Sequence, residues 1–538
     1  MVLEGASSLS LLTLAIALSL WVLAKAVSPK QYDLREPPVV PSSAPFVGHV
    51  FGILRYGAGY FRYLGSRFSH PIFALQTLTS KTYVVVDPGL AASVQRASKA
   101  LSFNPIIPEV TQRVLGLDDQ TKKIVATNID RDGSVRGFYP DVQDTIYSTL
   151  TPGGALDDLN LRAYTEFSNM LDSDAEELMS EKLKSREVDL MAWVQHIVTI
   201  ATARFLYGPK NPITMHPNLE QAFWDFVHGI PRLLLNTLPA YTARTAYKGR
   251  EALAAAYVEY LIHGHDKLGS NITQERIAVG RKHGFTLPNL ARSEISFLFA
   301  GIINTTFASF WMILHIFARP HLLQEIRAEL ETNALLTSPK EVADIRQLQI
   351  NKINKACPLL LATFRETLRL HSDVLSSRVV TTDTLLQDKY FLRKGSVLQI
   401  SGGIMHADAR IWGDKVNEFC PERFFNSSNG QIPLAATHKS NGSNDDKPKQ
   451  VHPAAFRAFG GGATLCPGRH FAQAEILGFV AMVLLRFDLA SVTEGKDIQI
   501  PGKKDDVLPI HILEPKEKAS VKMSDRAGWG HVQWEVVP

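Results

Sequence analysis

Cysteine is scarce in this 538-residue sequence: Cys357, Cys420 and Cys466 are the only three. So sparse and odd a number, with no pair at metal-clip spacing, excludes a disulfide framework and suits a reducing compartment. A charge excess is also missing. Lys and Arg number 57 against 53 Asp and Glu, a net +4. On so long a chain this gives no reason to invoke nucleic acid, and no dense basic-aromatic run argues otherwise. Internal repeats are absent, and Gly (35) and Pro (29) stand at ordinary levels. With 45% hydrophobic and 20% charged residues, the composition is that of a chain with a substantial core, not a disordered one.

One long apolar run opens the chain. From Ala6 to Val27 the only charge is Lys25, and Leu, Ala and Val dominate. About 20 apolar residues in a helix span a bilayer, so residues 1–28 are expected to form a single transmembrane anchor. Trp21 and Lys25 suit the interface. Glu4 precedes the run while Lys25, Lys30 and Arg35 follow it, which places the rest of the chain on the cytoplasmic side. A cleaved secretory signal fits less well, because no basic segment leads the run. Pro37, Pro38, Pro41 and Pro45 mark a stiff hinge over 29–45.

The remainder reads mainly as helix with a few short strand-like runs, such as Thr82–Val86 and Ser396–Ile400. Asn289 to Ala318 is long and apolar, and Pro320 ends it. As a helix it would measure about 45 Å at 1.5 Å per residue. Arg292, Glu294, Asn304 and His315 interrupt it, which favours a buried core helix over a second membrane span. Residues 426–450 turn to Asn, Ser, Gly, Lys and Asp and read as an inserted solvated loop. Residues 516–538 read as a polar tail.

The chemistry concentrates in Phe459-Gly460-Gly461-Gly462-Ala463-Thr464-Leu465-Cys466-Pro467-Gly468-Arg469. Glycines on both sides of Cys466 let the main chain press close to a flat ligand and aim amide N–H groups at a sulfur. Those donors, with the helix start after Pro467, stabilise a thiolate.

The segment resembles the cysteine-ligand loop of the cytochrome P450 family. Further motifs stand in that family's order: Glu366-Thr367-Leu368-Arg369, His406-Ala407-Asp408, Trp412-Gly413 and Pro421-Glu422-Arg423-Phe424. The resemblance covers residues 33 to 515. It implies a mainly α fold with small β-sheets, with 46–515 as the catalytic domain. It implies haem b as cofactor, with Cys466 as its axial iron ligand and Phe459 against the thiolate. Glu366, Arg369 and Arg423 become a buried triad bracing the haem-binding core. Arg378 matches a position that pairs with a haem propionate, a contact that a guanidinium suits.

Two departures stand out. The family's usual arginine two residues before the cysteine is Thr464 here, so Arg457 or a residue from 110–165 is expected to substitute. In the long helix, Ala300-Gly301-Ile302-Ile303-Asn304-Thr305-Thr306 places Asn304 where the family carries threonine. Either Asn304 takes over the hydrogen bond on the oxygen-binding side, or Thr305 does so through a local helix distortion, or Asn304 merely satisfies a backbone group. An asparagine here resembles the sterol 7-alpha-hydroxylase and prostacyclin-synthase branch, and fungal relatives often act in secondary metabolism.

The resemblance implies a monooxygenase that oxidises a lipophilic small molecule with O2 and electrons from NADPH-cytochrome P450 reductase, at the endoplasmic reticulum membrane. A haem-thiolate isomerase or dehydratase working without a reductase is the alternative, and a non-catalytic haem-binding protein the third. Regions 105–135 and 205–270 are rich in Leu, Ile, Phe and Tyr and fit a terpenoid, steroid-like or other fused-ring substrate.

Overall fold

The computed structural model describes Leu18 and residues 33–42, 49–76, 80–133, 135–180, 185–337, 345–424, 432–433, 450–529 and 532–537. The expected anchor (apart from Leu18) and most of the inserted loop lie outside the described residues. The fold is mainly helical, with small sheets at its edge. Four helices position the site: α1 (Phe138–Leu150), α2 (Leu287–Phe317), α3 (Pro358–His371) and α4 (Arg469–Arg486).

Helix α2 is the central one. It is apolar nearly all round, as a helix enclosed by others must be. Among the described residues it alone is long and apolar enough to cross a membrane, yet 72% of its most apolar stretch is buried inside the protein. It is a core helix, as its interrupting polar residues suggested. Helix α4 is buried from Ala474 to Arg486. Gly478 admits it to helix Gly154–Ser180, for a Cβ there would lie 1.3 Å from the ring of Tyr164.

The largest sheet has the strand order Ile72–Gln76, Lys81–Val85, Val397–Ser401, Leu375–Val380 and Leu101–Ser102. Val397–Ser401 pairs in parallel with Lys81–Val85 and antiparallel with Leu375–Val380, where Leu398 faces Arg378.

Two expected boundaries need correction. The hinge expected over 29–45 is docked from Glu36 to Val40. Val40 N–H donates to Ala74 O (2.9 Å), Ala74 N–H donates to Pro38 O (2.8 Å), and Glu36 pairs with buried Lys81. The tail expected over 516–538 is folded. Ser520–Asp525 pairs with Phe487–Ser491 and Arg186–Asp189, burying Val521 and Met523 on alternate positions. Gln533–Val537 adds in parallel to Ile345–Gln349. That period of two lies among lysines and serines, which hid it in the composition.

Candidate active site

The loop before α4 is shaped by glycine where no other residue fits easily. Gly460 and Gly462 have φ of 75° and 60°, the left-handed region. The loop closes on itself: Cys466 N–H donates to Phe459 O at 2.9 Å. The Phe459 ring tilts against Phe364 of α3, 6.4 Å between centroids. Cys466 Sγ sits ahead of α4. Burial pushes its thiol up, against the opposing pull of the Gly468 N–H and the Arg469 charge. A thiolate at this place therefore calls for a bound cation. Helix α1 lies along the same loop, where the Tyr147 hydroxyl donates to Leu465 O at 3.3 Å.

Behind the loop, Glu366 is fully buried and takes both arms of Arg369, at 2.8 and 2.7 Å. Its Oε1 also accepts from Arg423 Nε (3.3 Å) and Cys420 N–H (3.0 Å). Arg369 reaches His406 O at 2.8 Å, and Arg423 reaches the carbonyls of Trp412 and Lys415. Three charges are thus buried together with their hydrogen-bonding positions filled, the condition under which a buried ion network holds.

Arg378 and Arg457 differ from that triad. Both are buried, at 3% and 2% exposure, and neither has a carboxylate at ion-pair distance among the described residues. Arg378 donates to Ser377 O (2.6 Å) and to Thr464 Oγ1 (2.5 Å). Arg457 reaches Ser376 Oγ at 3.5 Å, while its Nε and Nη1 have no partner. Burial and the neighbouring Arg378 charge lower Arg457 to about 10. Two uncompensated guanidiniums side by side call for an anion. Thr464, standing where an arginine was expected, anchors Arg378.

Helix α2 runs unbroken from Leu287 to Phe317, so the distortion that would turn Thr305 toward the oxygen-binding side does not occur. The Thr305 hydroxyl points the other way and donates to Glu475 of α4 at 2.8 Å. Burial holds the Glu475 carboxyl up at about 8. Ala300 and Asn304, one turn apart, are exposed, just before the fully buried run Thr305–Phe317. Asn304 Oδ1 accepts the Ile512 N–H at 3.0 Å. The backbone-satisfying reading of Asn304 therefore holds for its oxygen only.

Earlier in α2, at Ser296 and Phe299, a cavity of about 250 Å³ opens with a wholly apolar surface. Val110, Val114, Phe226, Ile230, Phe299 and Ile510 are among its walls. Its two hydroxyls are spent on backbone carbonyls: Thr111 donates to Ile107 O (2.8 Å) and Ser296 to Ser293 O (2.6 Å). The regions 105–135 and 205–270 supply much of this wall. Phe299, Ile510 and Ile512 lie outside them and carried no sequence signal beyond being apolar.

A flat iron-bearing group with carboxylate arms fits these residues. Cys466 offers a thiolate, Arg378 and Arg457 offer unpaired cations, and Ala300 leaves room beside Asn304.

A family model described as Cytochrome P450 matches residues 37–523. Cytochrome P450 monooxygenase nodJ of Hypoxylon pulicicidum is 31% identical over 505 residues, covering 94% of this chain and 92% of that protein. A cytochrome P450 monooxygenase of Gibberella zeae is 28% identical, covering 99% and 98%. Rat cytochrome P450 7A1 is 28% identical over 284 residues, about half of each chain. Among solved structures, retinoic acid bound cyanobacterial CYP120A1 covers 92% of this chain with all of its own length, at a TM-score of 0.65 and 19% identity.

Proposed function

The chain belongs to the cytochrome P450 family, as a monooxygenase whose haem iron takes a cysteine thiolate, and from that premise we propose that it oxidises a lipophilic fused-ring or terpenoid-like molecule held in the Val114–Phe299 cavity. The observation that carries this reading is the cavity's lack of any free polar group. Such a wall binds by removing apolar surface from water, at roughly 25 cal/mol per Å². It offers nothing to a sugar, a nucleotide or an amino acid.

Bound haem supplies the oxygen activation, and a thiolate ligand favours O–O cleavage. This chain's residues do the holding. Cys466 is the iron ligand, its sulfur braced by the Gly468 N–H. Arg378 and Arg457 take the propionates, with Thr464 and Ser376 setting their angles. The Glu366–Arg369–Arg423 triad keeps the underlying core in place. The apolar wall excludes bulk water from the reacting end, which guards against idle turnover.

Electrons come, in this reading, from NADPH-cytochrome P450 reductase at the endoplasmic reticulum membrane. The apolar run Ala6–Val27 supports the membrane placement. So do the exposed Leu235, Leu238 and Tyr241, which directly follow Leu234 of the cavity wall. Arg469, at the start of α4 near Cys466, suits an acidic partner surface.

The test is reconstitution of the full chain with that reductase and NADPH on the lipophilic extract of its host, read by mass spectrometry. A product heavier by one oxygen, or lighter by two hydrogens, and dependent on NADPH supports the reading. A product of unchanged mass formed without reductase would make the enzyme an isomerase.

A further inference from the structure

A side-chain amide presents two faces, and its oxygen and nitrogen are usually told apart only by their partners. At Asn304 the partner decides. Ile512 contributes a backbone N–H, which donates and never accepts, so the atom facing it at 3.0 Å is the carbonyl oxygen. That N–H is itself held in direction. The next residue, Leu513, donates its N–H to His371 O at 3.0 Å and accepts from Trp311 Nε1 at 2.7 Å. Trp311 belongs to the same helix as Asn304, two turns on. The segment is therefore pinned to α2 and α3 at the residue immediately after the contact.

What remains of Asn304 is its NH2 group, on a side chain exposed amid buried neighbours: Ile302 and Ile303 are fully buried, and Thr305 and Thr306 are 3% and 0% exposed. The hydroxyls of the apolar cavity, at Thr111 and Ser296, are already spent.

We propose that Ile512 is a positioning residue: its backbone N–H fixes the Asn304 carboxamide so that a hydrogen-bond donor, never an acceptor, faces the open side of α2. The inference rests on the reading of Cys466 as haem ligand. It adds that the group meeting the haem's open face must be an acceptor, such as a carbonyl, ether or peroxidic oxygen.

Carbon monoxide on the reduced haem of the full-length holoprotein is the probe, read as its infrared C–O stretch. A donor beside the ligand lowers that stretch. Wild type should show one narrow low-frequency band. Asn304→Asp keeps the acceptor for Ile512 but has no N–H to give, and Asn304→Leu has neither. Both should shift the band upward to a similar value. Ile512→Pro deletes the N–H while leaving Asn304 intact, and the band should split as the amide turns over. If that variant fails to load haem, an ester in place of the 512 peptide N–H makes the same deletion without the proline ring, and an unsplit band there overturns the proposal equally. A band that stays at the wild-type position in both Asn304 variants, or does not split in a haem-loaded Ile512→Pro, overturns the proposal. Loss of the thiolate-type visible spectrum in wild type itself would instead sink the reading of Cys466.

Discussion

The backbone N–H of Arg457 donates to Nε2 of His406 at 2.9 Å, and the other ring nitrogen, Nδ1, donates to Ser372 O at 2.9 Å. With both nitrogens so used the ring must be neutral, with its proton on Nδ1. The carbonyl of the same residue takes Arg369 of the triad. One histidine thus joins the Glu366 triad to the unpaired arginine beside the cysteine loop. His406→Phe should leave the Arg457 N–H buried and unmade, costing about 1–3 kcal/mol. We expect faster haem transfer to apomyoglobin, with the thiolate-type spectrum intact in what remains bound.

Arg457 makes a prediction of opposite sign in the two forms. In the apoprotein its charge is buried with no acid near it, and its lowering from the ordinary arginine range to about 10 corresponds to on the order of 3 kcal/mol. Arg457→Leu should therefore stabilise the apoprotein against urea while weakening haem retention. Equal destabilisation of both forms would mean that Arg457 has no role toward an anionic group.

Acid should destabilise the protein over a defined window. Burial lowers His406 and His315 to about 3, and holds His371 well below the usual histidine range. Unfolded histidine titrates near ~6.5, so below that pH the unfolded chain takes up protons that the folded one refuses. Stability is complete above ~6.5 and falls as pH drops toward 3, by about 1.4 kcal/mol per pH unit for each ring. His196 is raised by its hydrogen bond to Glu220, so its contribution is already complete below ~6.5 and does not alter the slope there. Urea unfolding at pH 7 and pH 5.5 measures the slope, and His406→Phe should flatten it by about one proton.

The folded C-terminus should matter for stability but not for the haem spectrum. Trp529 and Trp534 stack at 5.8 Å, and three arginines cover them: Arg346 and Arg526 over Trp529, Arg486 over Trp534. Each such contact contributes about 0.5–1 kcal/mol. Truncation after Asp525 should lower the melting temperature, and a full-strength reduced carbon-monoxide spectrum should persist at room temperature.

How much of this was readable beforehand follows from how far apart the partners lie. Cys466 and the loop around it are local chemistry, so eleven consecutive residues carried the ligand, the turn and the helix start. Glu366 and Arg369 are three apart on one helix face, and Arg423 came with its own motif. Thr305 and Asn304 were adjacent letters with interchangeable prospects until the helix was seen to run straight, turning one hydroxyl to Glu475 and leaving the amide to Ile512. That last partner stands 208 positions away and is a bare backbone group. No pattern of residue types could mark it. The tail misled for another reason: two buried residues alternating with lysine and serine make a strand only when a partner strand exists.

Substrate choice gives the last prediction. If the cavity binds by apolar contact alone, its hydroxyls are bystanders, because Thr111 and Ser296 already donate to Ile107 and Ser293. Ser296→Ala should leave turnover within about twofold, since it removes a bond made inside one helix. Val114→Phe should not be tolerated in the same way. Val114 is 8% exposed on the cavity wall, and a phenyl ring there takes space a fused-ring substrate needs. We expect at least a tenfold loss of turnover, or a product oxidised at a different carbon, with haem content unchanged. The reverse ranking, a severe loss in Ser296→Ala and none in Val114→Phe, would mean that the substrate is recognised by a polar contact at Ser296 and is not the lipophile argued for above.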